Sequence, residues 1–290
     1  MTRAGAFIQL LRPQQWVKNA FVLVGLIFGH AYGNPVMLAA ALVATAAFCL
    51  ASGAVYAFND ARDVAQDRDH PDKRERPVAR GAVSPAGAIA LSFVAGAAAM
   101  ALAAWTDWKV AAIIAAYLVL SAAYTLGLKR VPVLDVVCIA AGFMLRLLAG
   151  TSGIGIEPSR WLLACGFLLT LFLGFAKRRA ELEQLAAGAP RHRKVFEAYS
   201  IGFLDKAIAA CAAGMVAAYA WYTLAAETAL THGTTSLVLT LPWVLLGTLR
   251  YLYRLRFMGG GGDPAEELLR DPLLATAVAG WLGTVLWLIG

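Results

Sequence analysis

Residues 59–81 read NDARDVAQDRDHPDKRERPVARG, the densest run of charge in the chain, and it stands between two long apolar segments. Asn59, Asp63 and Asp67 recur every four residues, so a helix here carries them as one stripe with Asp60 beside it. Lys73, Arg74, Arg76 and Arg80 follow at once. Carboxylates on one face suit Mg²⁺, which takes a few oxygen ligands and completes its shell with substrate phosphates. Basic side chains just beyond them suit the phosphates. A solvated loop obeying the positive-inside rule would explain the basic residues, yet not three acids in helical register. The stretch therefore reads as a metal-diphosphate site with Asn59, Asp60, Asp63 and Asp67 as candidate metal ligands.

Outward from this segment the chain is apolar. Of 290 residues 60% are hydrophobic and only 15% charged, which is too greasy for a typical soluble domain. Nine runs approach the roughly 20 residues that cross a bilayer: 17–32, 36–58, 85–104, 109–127, 132–150, 160–176, 204–225, 236–254 and 272–289. The first follows Arg3, Arg12 and Lys18 without a small-residue cleavage pattern, and is expected to be a retained helix. With the N-terminus placed in the cytoplasm, all lysines and arginines except Lys109, Arg146 and Arg160 fall in the inner segments 1–18, 59–84, 128–131, 177–206 and 250–271. That asymmetry predicts an N-terminus inside and a C-terminus outside. The long charged loops are then cytoplasmic, and functional groups are expected there. Ala and Gly enrich the spans, which lets helices approach closely. One helical domain over 1–290 is expected, with a weak hint of two halves from the similar charge of loops 59–84 and 177–206. The net charge of +7 is not a nucleic-acid signal, because the basic residues lie at membrane edges. Cys49, Cys138, Cys165 and Cys211 are isolated in apolar runs without metal-ligand spacing.

Beyond the acidic stretch, the segment Arg12-Pro-Gln-Gln-Trp16-Val-Lys18-Asn19 meets the first membrane boundary. It reads equally as interface anchoring and as a phosphate ligand. Asn59-Asp60-x-x-Asp63-x-x-x-Asp67 with Lys73, Arg76, Pro77 and Gly81 resembles the first aspartate-rich motif of the UbiA-type membrane prenyltransferase superfamily. The Arg12–Asn19 segment and Tyr124-Thr-Leu-Gly-Leu-Lys129 resemble it as well, so that the likeness covers essentially the whole chain. It implies an all-α fold of nine transmembrane helices around a lateral, lipid-accessible cavity.

The second charged loop departs from the commoner superfamily pattern of a second DxxxD. It carries Lys177-Arg178-Arg179-Ala180-Glu181-Leu182, then Tyr199-Ser200 and Phe203-Leu204-Asp205. Lys177 and Glu181 also stand at the spacing of a plain helix-surface pair. This run, the Arg12–Asn19 segment, Arg250-Tyr251 and the late loop 262–271 resemble the decaprenyl-phosphate phosphoribosyltransferase branch. That branch implies Mg²⁺-dependent transfer of the 5-phosphoribosyl group from 5-phosphoribosyl 1-diphosphate (PRPP) to a polyprenyl phosphate. Diphosphate leaves, and the product is a precursor of cell-wall arabinan. Two polyanions must then meet, and extra cations in the second loop would offset their repulsion.

On this reading Asp63, Asp67, Asn59 and Lys177 act at the reacting centre. Lys18, Asn59, Lys73, Arg76, Arg80, Tyr124, Lys129, Lys177, Arg178, Glu181, Tyr199 and Asp205 contact substrates. The resemblance also allows a homotrimer in a bacterial cytoplasmic membrane. Arg146, inside the fifth span, is read as structural, Asp135 as a helix-start acid, and Gly259–Gly262 as a turn. His30, His70, His192 and His232 lack ligand spacing. The competing readings are a conventional prenyl transfer to an aromatic or lipid acceptor, and a transporter. The missing second DxxxD speaks against the first, and charges gathered at one face against the second.

Overall fold

The computed structural model describes residues 3–69, 73–186, 199–262 and 264–289, and within these it is helical throughout, without a strand. His70, His192 and Asp263 lie outside the described residues. The helices are α1 (Arg3–Leu10), α2 (Val24–Phe28), α3 (Pro35–Arg62), α4 (Val64–Arg68), α5 (Pro85–Thr106), α6 (Trp108–Leu126), α7 (Leu134–Ala149), α8 (Arg160–Ala186), α9 (Ile201–Leu224), α10 (Ala226–His232), α11 (Leu241–Phe257), α12 (Pro264–Arg270) and α13 (Pro272–Ile289). Among the described residues, eight helical segments are long and apolar enough to cross a membrane. The ninth expected span, 17–32, is instead a 3₁₀ stretch, Pro13–Leu23, running into the five-residue α2.

Helix starts follow local chemistry. Asn34 before Pro35 accepts the amides of Val36 and Met37, Ser84 before Pro85 accepts that of Gly87, and Asp271 before Pro272 accepts that of Leu274. In each case proline takes the first helical position, where no amide is needed, and the preceding side chain caps the next free donors.

The chain divides into two compact units, residues 1–126 with 145–158 and residues 127–144 with 159–290, so that α7 contributes to both. In the first unit α3 and α5 pack through alanine: Ala44, Ala47, Ala51, Ala99 and Ala103 are buried around Phe48, Ile114 and Tyr117. A Cβ on Gly150 would collide with the backbone oxygen of Val22, so glycine is required where the chain after α7 crosses the 3₁₀ stretch. In the second unit the core is Val136, Phe172, Phe175, Leu204, Ile208, Tyr251 and Leu255, from α7, α8, α9 and α11.

Candidate active site

The acidic stretch does not form one straight helix. α3 ends at Arg62, Asp63 takes φ −93° and ψ 13° as its C-cap, and α4 begins at Val64. The Asp63 amide still donates to the Asn59 carbonyl and the Asp67 amide to the Asp63 carbonyl, so hydrogen bonding continues through the bend. Asp60 and Asp67, both almost fully buried, converge on one guanidinium nitrogen: Arg76 Nη1 lies 3.2 Å from Asp60 Oδ1 and 2.7 Å from Asp67 Oδ2. Arg12 Nη2 meets the same Asp60 oxygen at 2.5 Å while its guanidinium lies over the Tyr56 ring at 4.7 Å. To reach there Arg12 adopts φ 50°, a left-handed conformation that a non-glycine residue rarely holds. Arg12 and Arg76 remain about a quarter exposed. The acids are thus buried, and the cations that cover them are partly exposed.

The rest of the predicted first-loop set lies along the same segment. Asn59 accepts a 2.7 Å hydrogen bond from Thr125 Oγ1 at the end of α6, which orients its amide. Lys73 opens the short 3₁₀ turn Lys73–Glu75, and Arg80 donates to Gln9 Oε1 of α1. Asp63, Lys18 and Tyr124 are half-buried. Among the described residues no group of three His, Cys, Asp or Glu side chains converges to hold a metal. Two carboxylates do converge, and a guanidinium nitrogen sits between them where a cation belongs. This all-oxygen pair fits Mg²⁺, which typically uses one or two carboxylates and draws its other ligands from substrate phosphates.

Asn19, from the first membrane boundary, is tied into the fold. It is fully buried and accepts a 2.8 Å bond from Arg146 Nε. Arg146 also donates to the Tyr117 hydroxyl at 3.2 Å and stands over the rings of Tyr117 and Phe48. An arginine within an apolar span is costly, and these acceptors and π faces are what offset the cost.

The second unit carries a different cluster, in which several predicted substrate contacts have partners within the fold. Arg178, at 1% exposure, is enclosed in the fold: its Nε meets Asp135 Oδ2 at 2.7 Å and its Nη1 pairs with Glu181. Glu181 therefore takes Arg178 three residues back, where the spacing had also admitted Lys177. The Tyr199 hydroxyl donates to Asp135 Oδ1 and accepts the Val133 amide, each at 2.6 Å. Burial, reinforced by the Asp135 carboxylate, pushes the Tyr199 hydroxyl well above the ordinary phenol range, so it keeps its proton. Asp205 is held by Arg179 Nε at 2.6 Å, and Arg179 also donates to the Leu255 carbonyl, which ties α8, α9 and α11 together. Arg178, Glu181, Tyr199 and Asp205 thus all have partners within the fold. Lys177 and Lys129 are half-buried, the latter on the turn Leu128–Arg130.

A further network was not legible as a unit. Arg250 grips Asp271 with Nε and Nη2, at 3.1 and 2.7 Å to Oδ2, while Arg254 binds Glu267 at 2.5 Å and Asp271 at 2.8 Å. The guanidinium of Arg250 holds the Asp271 carboxyl far below the usual carboxylate range. The late-loop acids had been noted, but Arg254 carried no signal beyond lying one helical turn after Arg250.

The fold and the first-unit site define a class: a helical, multi-pass membrane protein with a buried carboxylate pair, flanked by cations, at the end of a spanning helix. The sequence profile of the UbiA prenyltransferase family matches residues 19–264. Decaprenyl-phosphate phosphoribosyltransferase of Mycolicibacterium smegmatis is 33% identical over 294 residues, covering 96% of this chain and 90% of its own. Its namesake from Corynebacterium glutamicum is 33% identical over 285 residues, covering 96% and 85%. A solved UbiA homolog from Archaeoglobus fulgidus, bound to DMAPP and Mg²⁺, superposes with a TM-score of 0.73 at 20% identity over 97% of this chain and 99% of that one. The chain belongs to the UbiA prenyltransferase family.

Proposed function

We propose that this protein transfers the 5-phosphoribosyl group from PRPP to a polyprenyl phosphate, releasing diphosphate, with Mg²⁺ as the metal. The observation that carries the reading is the convergence of Asp60 and Asp67 on one guanidinium nitrogen of Arg76, with Arg12 on the same Asp60 oxygen. It is supported by the two relatives named for that reaction, which match nearly the full chain.

In this reading Asp60 and Asp67 hold the metal, with Asn59 and Asp63 completing the polar face. Bound there, Mg²⁺ would neutralise charge on the donor diphosphate. Arg76 releases the two carboxylates and, with Arg12, Lys73 and Arg80, binds the leaving diphosphate, whose charge grows as the bond to ribose C1 breaks. Lys18, Lys129 and Lys177 are the candidate ligands of the remaining phosphates, and Tyr124 of the sugar. An acceptor phosphate oxygen attacks C1 from the face opposite the diphosphate, inverting that carbon. It needs no strong base, because the acceptor is already an anion near neutral pH. Catalysis is then mainly positioning and electrostatics. The charged face is assigned to the cytoplasmic side of a bacterial inner membrane, and the polyprenyl tail to the bilayer.

The test is a choice of donor. Purified protein with Mg²⁺ is offered PRPP plus a polyprenyl phosphate, and separately a prenyl diphosphate plus an aromatic acceptor. A lipid-extractable phosphoribosyl product only from the first pair is expected. Turnover of only the second pair would move the protein to conventional prenyl transfer.

A further inference from the structure

Val133 is the last residue before α7, and its φ of 67° lies in the left-handed region. A β-branched side chain is a true outlier there, and such strain persists only where surrounding structure holds it. The side chain is 39% exposed, so packing does not impose the conformation. The backbone supplies the reason. The Val133 carbonyl accepts the amides of Val136 and Val137 as α7 begins, while its own amide points outward to the Tyr199 hydroxyl. The same hydroxyl donates to Asp135 Oδ1, two residues further on, and the other Asp135 oxygen is held by the buried Arg178. One phenol thus closes a ring across the start of α7, fixed from behind by a guanidinium.

The turn locked in this way carries Lys129. The amides of Arg130 and Val131 bond back to Gly127 and Leu128, forming a short 3₁₀ turn, and Val131 then accepts the Asp135 amide. The Lys129 turn, Val131, Val133 and the start of α7 are thus joined by one run of backbone hydrogen bonds. Tyr199 is already engaged on both sides of its oxygen, as acceptor and as donor, which leaves it no donor for a ribose hydroxyl.

We infer that Tyr199 is a positioning residue, whose hydroxyl holds Val133 in its strained conformation and thereby sets the Lys129 turn for binding the phosphates of PRPP. This rests on the phosphoribosyl reading above for the ligand, though not for the bridge itself. The alternative is that Tyr199 touches the sugar directly, as one form of the substrate contact expected from the sequence.

Four proteins separate the two: wild type, Tyr199→Phe, Val133→Gly and the double variant. Phenylalanine keeps the ring stacked near Phe203 and removes only the hydroxyl. Glycine adopts positive φ without strain, and so makes the bridge unnecessary. Loss of one bridging hydroxyl should raise KM for PRPP about tenfold in Tyr199→Phe, with kcat changed less. The double variant should recover most of that loss. A double variant as poor as Tyr199→Phe, with Val133→Gly alone resembling wild type, would overturn the inference in favour of direct sugar contact. Melting temperatures of the same four proteins without substrate judge the bridge independently of the reaction. Val133→Gly should raise the melting temperature more in the Tyr199→Phe background than in wild type, whereas additive shifts would contradict the bridge. A wild type inert toward PRPP would sink the proposed reaction, and the bridge would then stand or fall on the melting data.

Discussion

Two clusters of the same residue types, Asp60–Asp67–Arg76 in the first unit and Asp135–Arg178–Glu181 in the second, behave as opposites. In both, two acids share one arginine. In the first the acids are buried and the guanidinium is 28% exposed. In the second the guanidinium itself is at 2%, sealed between a fully buried aspartate and Glu181. A partly exposed cation can leave its carboxylates when a metal and a phosphate arrive. A cation enclosed in the core cannot, because its departure would strand a buried charge. Exposure of the arginine, more than the presence of acids, separates a binding site from a structural clamp.

The comparison breaks most sharply at Asp67. Asp67→Ala should lower transfer by about 10³-fold, the scale of losing one preorganised charge at a reacting centre. A residual rate within tenfold of wild type, measured with labelled PRPP, would remove Asp67 from the site. Next, Arg178→Met should destabilise the protein by about 3–5 kcal/mol in denaturant titrations in detergent, because the buried Asp135 is left without a counter-charge. Loss of activity without loss of stability would show that Arg178 serves a substrate after all. Arg76→Gln tests the exchangeable side. With its competitor gone, the Asp60–Asp67 pair should bind Mn²⁺ about tenfold more tightly in the absence of PRPP, the equivalent of one charge-assisted bond. Weaker metal binding would mean that the pair is a clamp as well.

The smallest effect concerns acid. Arg250 depresses the Asp271 carboxyl in the folded state, so its contribution is complete above the unfolded value of about 4 and lost as pH falls toward the folded one. Melting temperature should therefore hold between about pH 5 and 8 as far as this network decides it, and fall below about pH 4. Asp271→Asn should be less stable at neutral pH and show a shallower acid limb. An unchanged acid limb would assign the sensitivity to other carboxylates.

Much of the architecture was legible because local rules suffice for it. Apolar length marked the eight spanning segments, and Asn34-Pro35, Ser84-Pro85 and Asp271-Pro272 announced their own helix starts. Over 17–32 composition registered apolar length but not that 3₁₀ hydrogen bonding precedes α2. The bend at Asp63 was hidden for a similar reason: fourfold spacing continues through it. Pairings across long separations were silent. Arg12 with Asp60, Asn19 with Arg146 and Asp135 with Arg178 each join residues dozens of positions apart. Asp135 looked like a helix-start acid, and it does lie in the first turn of α7. Its chemistry comes from Arg178 and Tyr199, which only the tertiary structure supplies.

The most direct test of the reaction and its site is a double-label experiment with PRPP carrying one label in the ribose and another in the β-phosphate. With a polyprenyl phosphate and Mg²⁺, ribose label should enter the lipid phase as β-phosphate label appears in free diphosphate, mole for mole, and both should vanish in Asp67→Ala. Ribose label that stays aqueous in the wild type, or lipid label that persists in Asp67→Ala, would contradict the account.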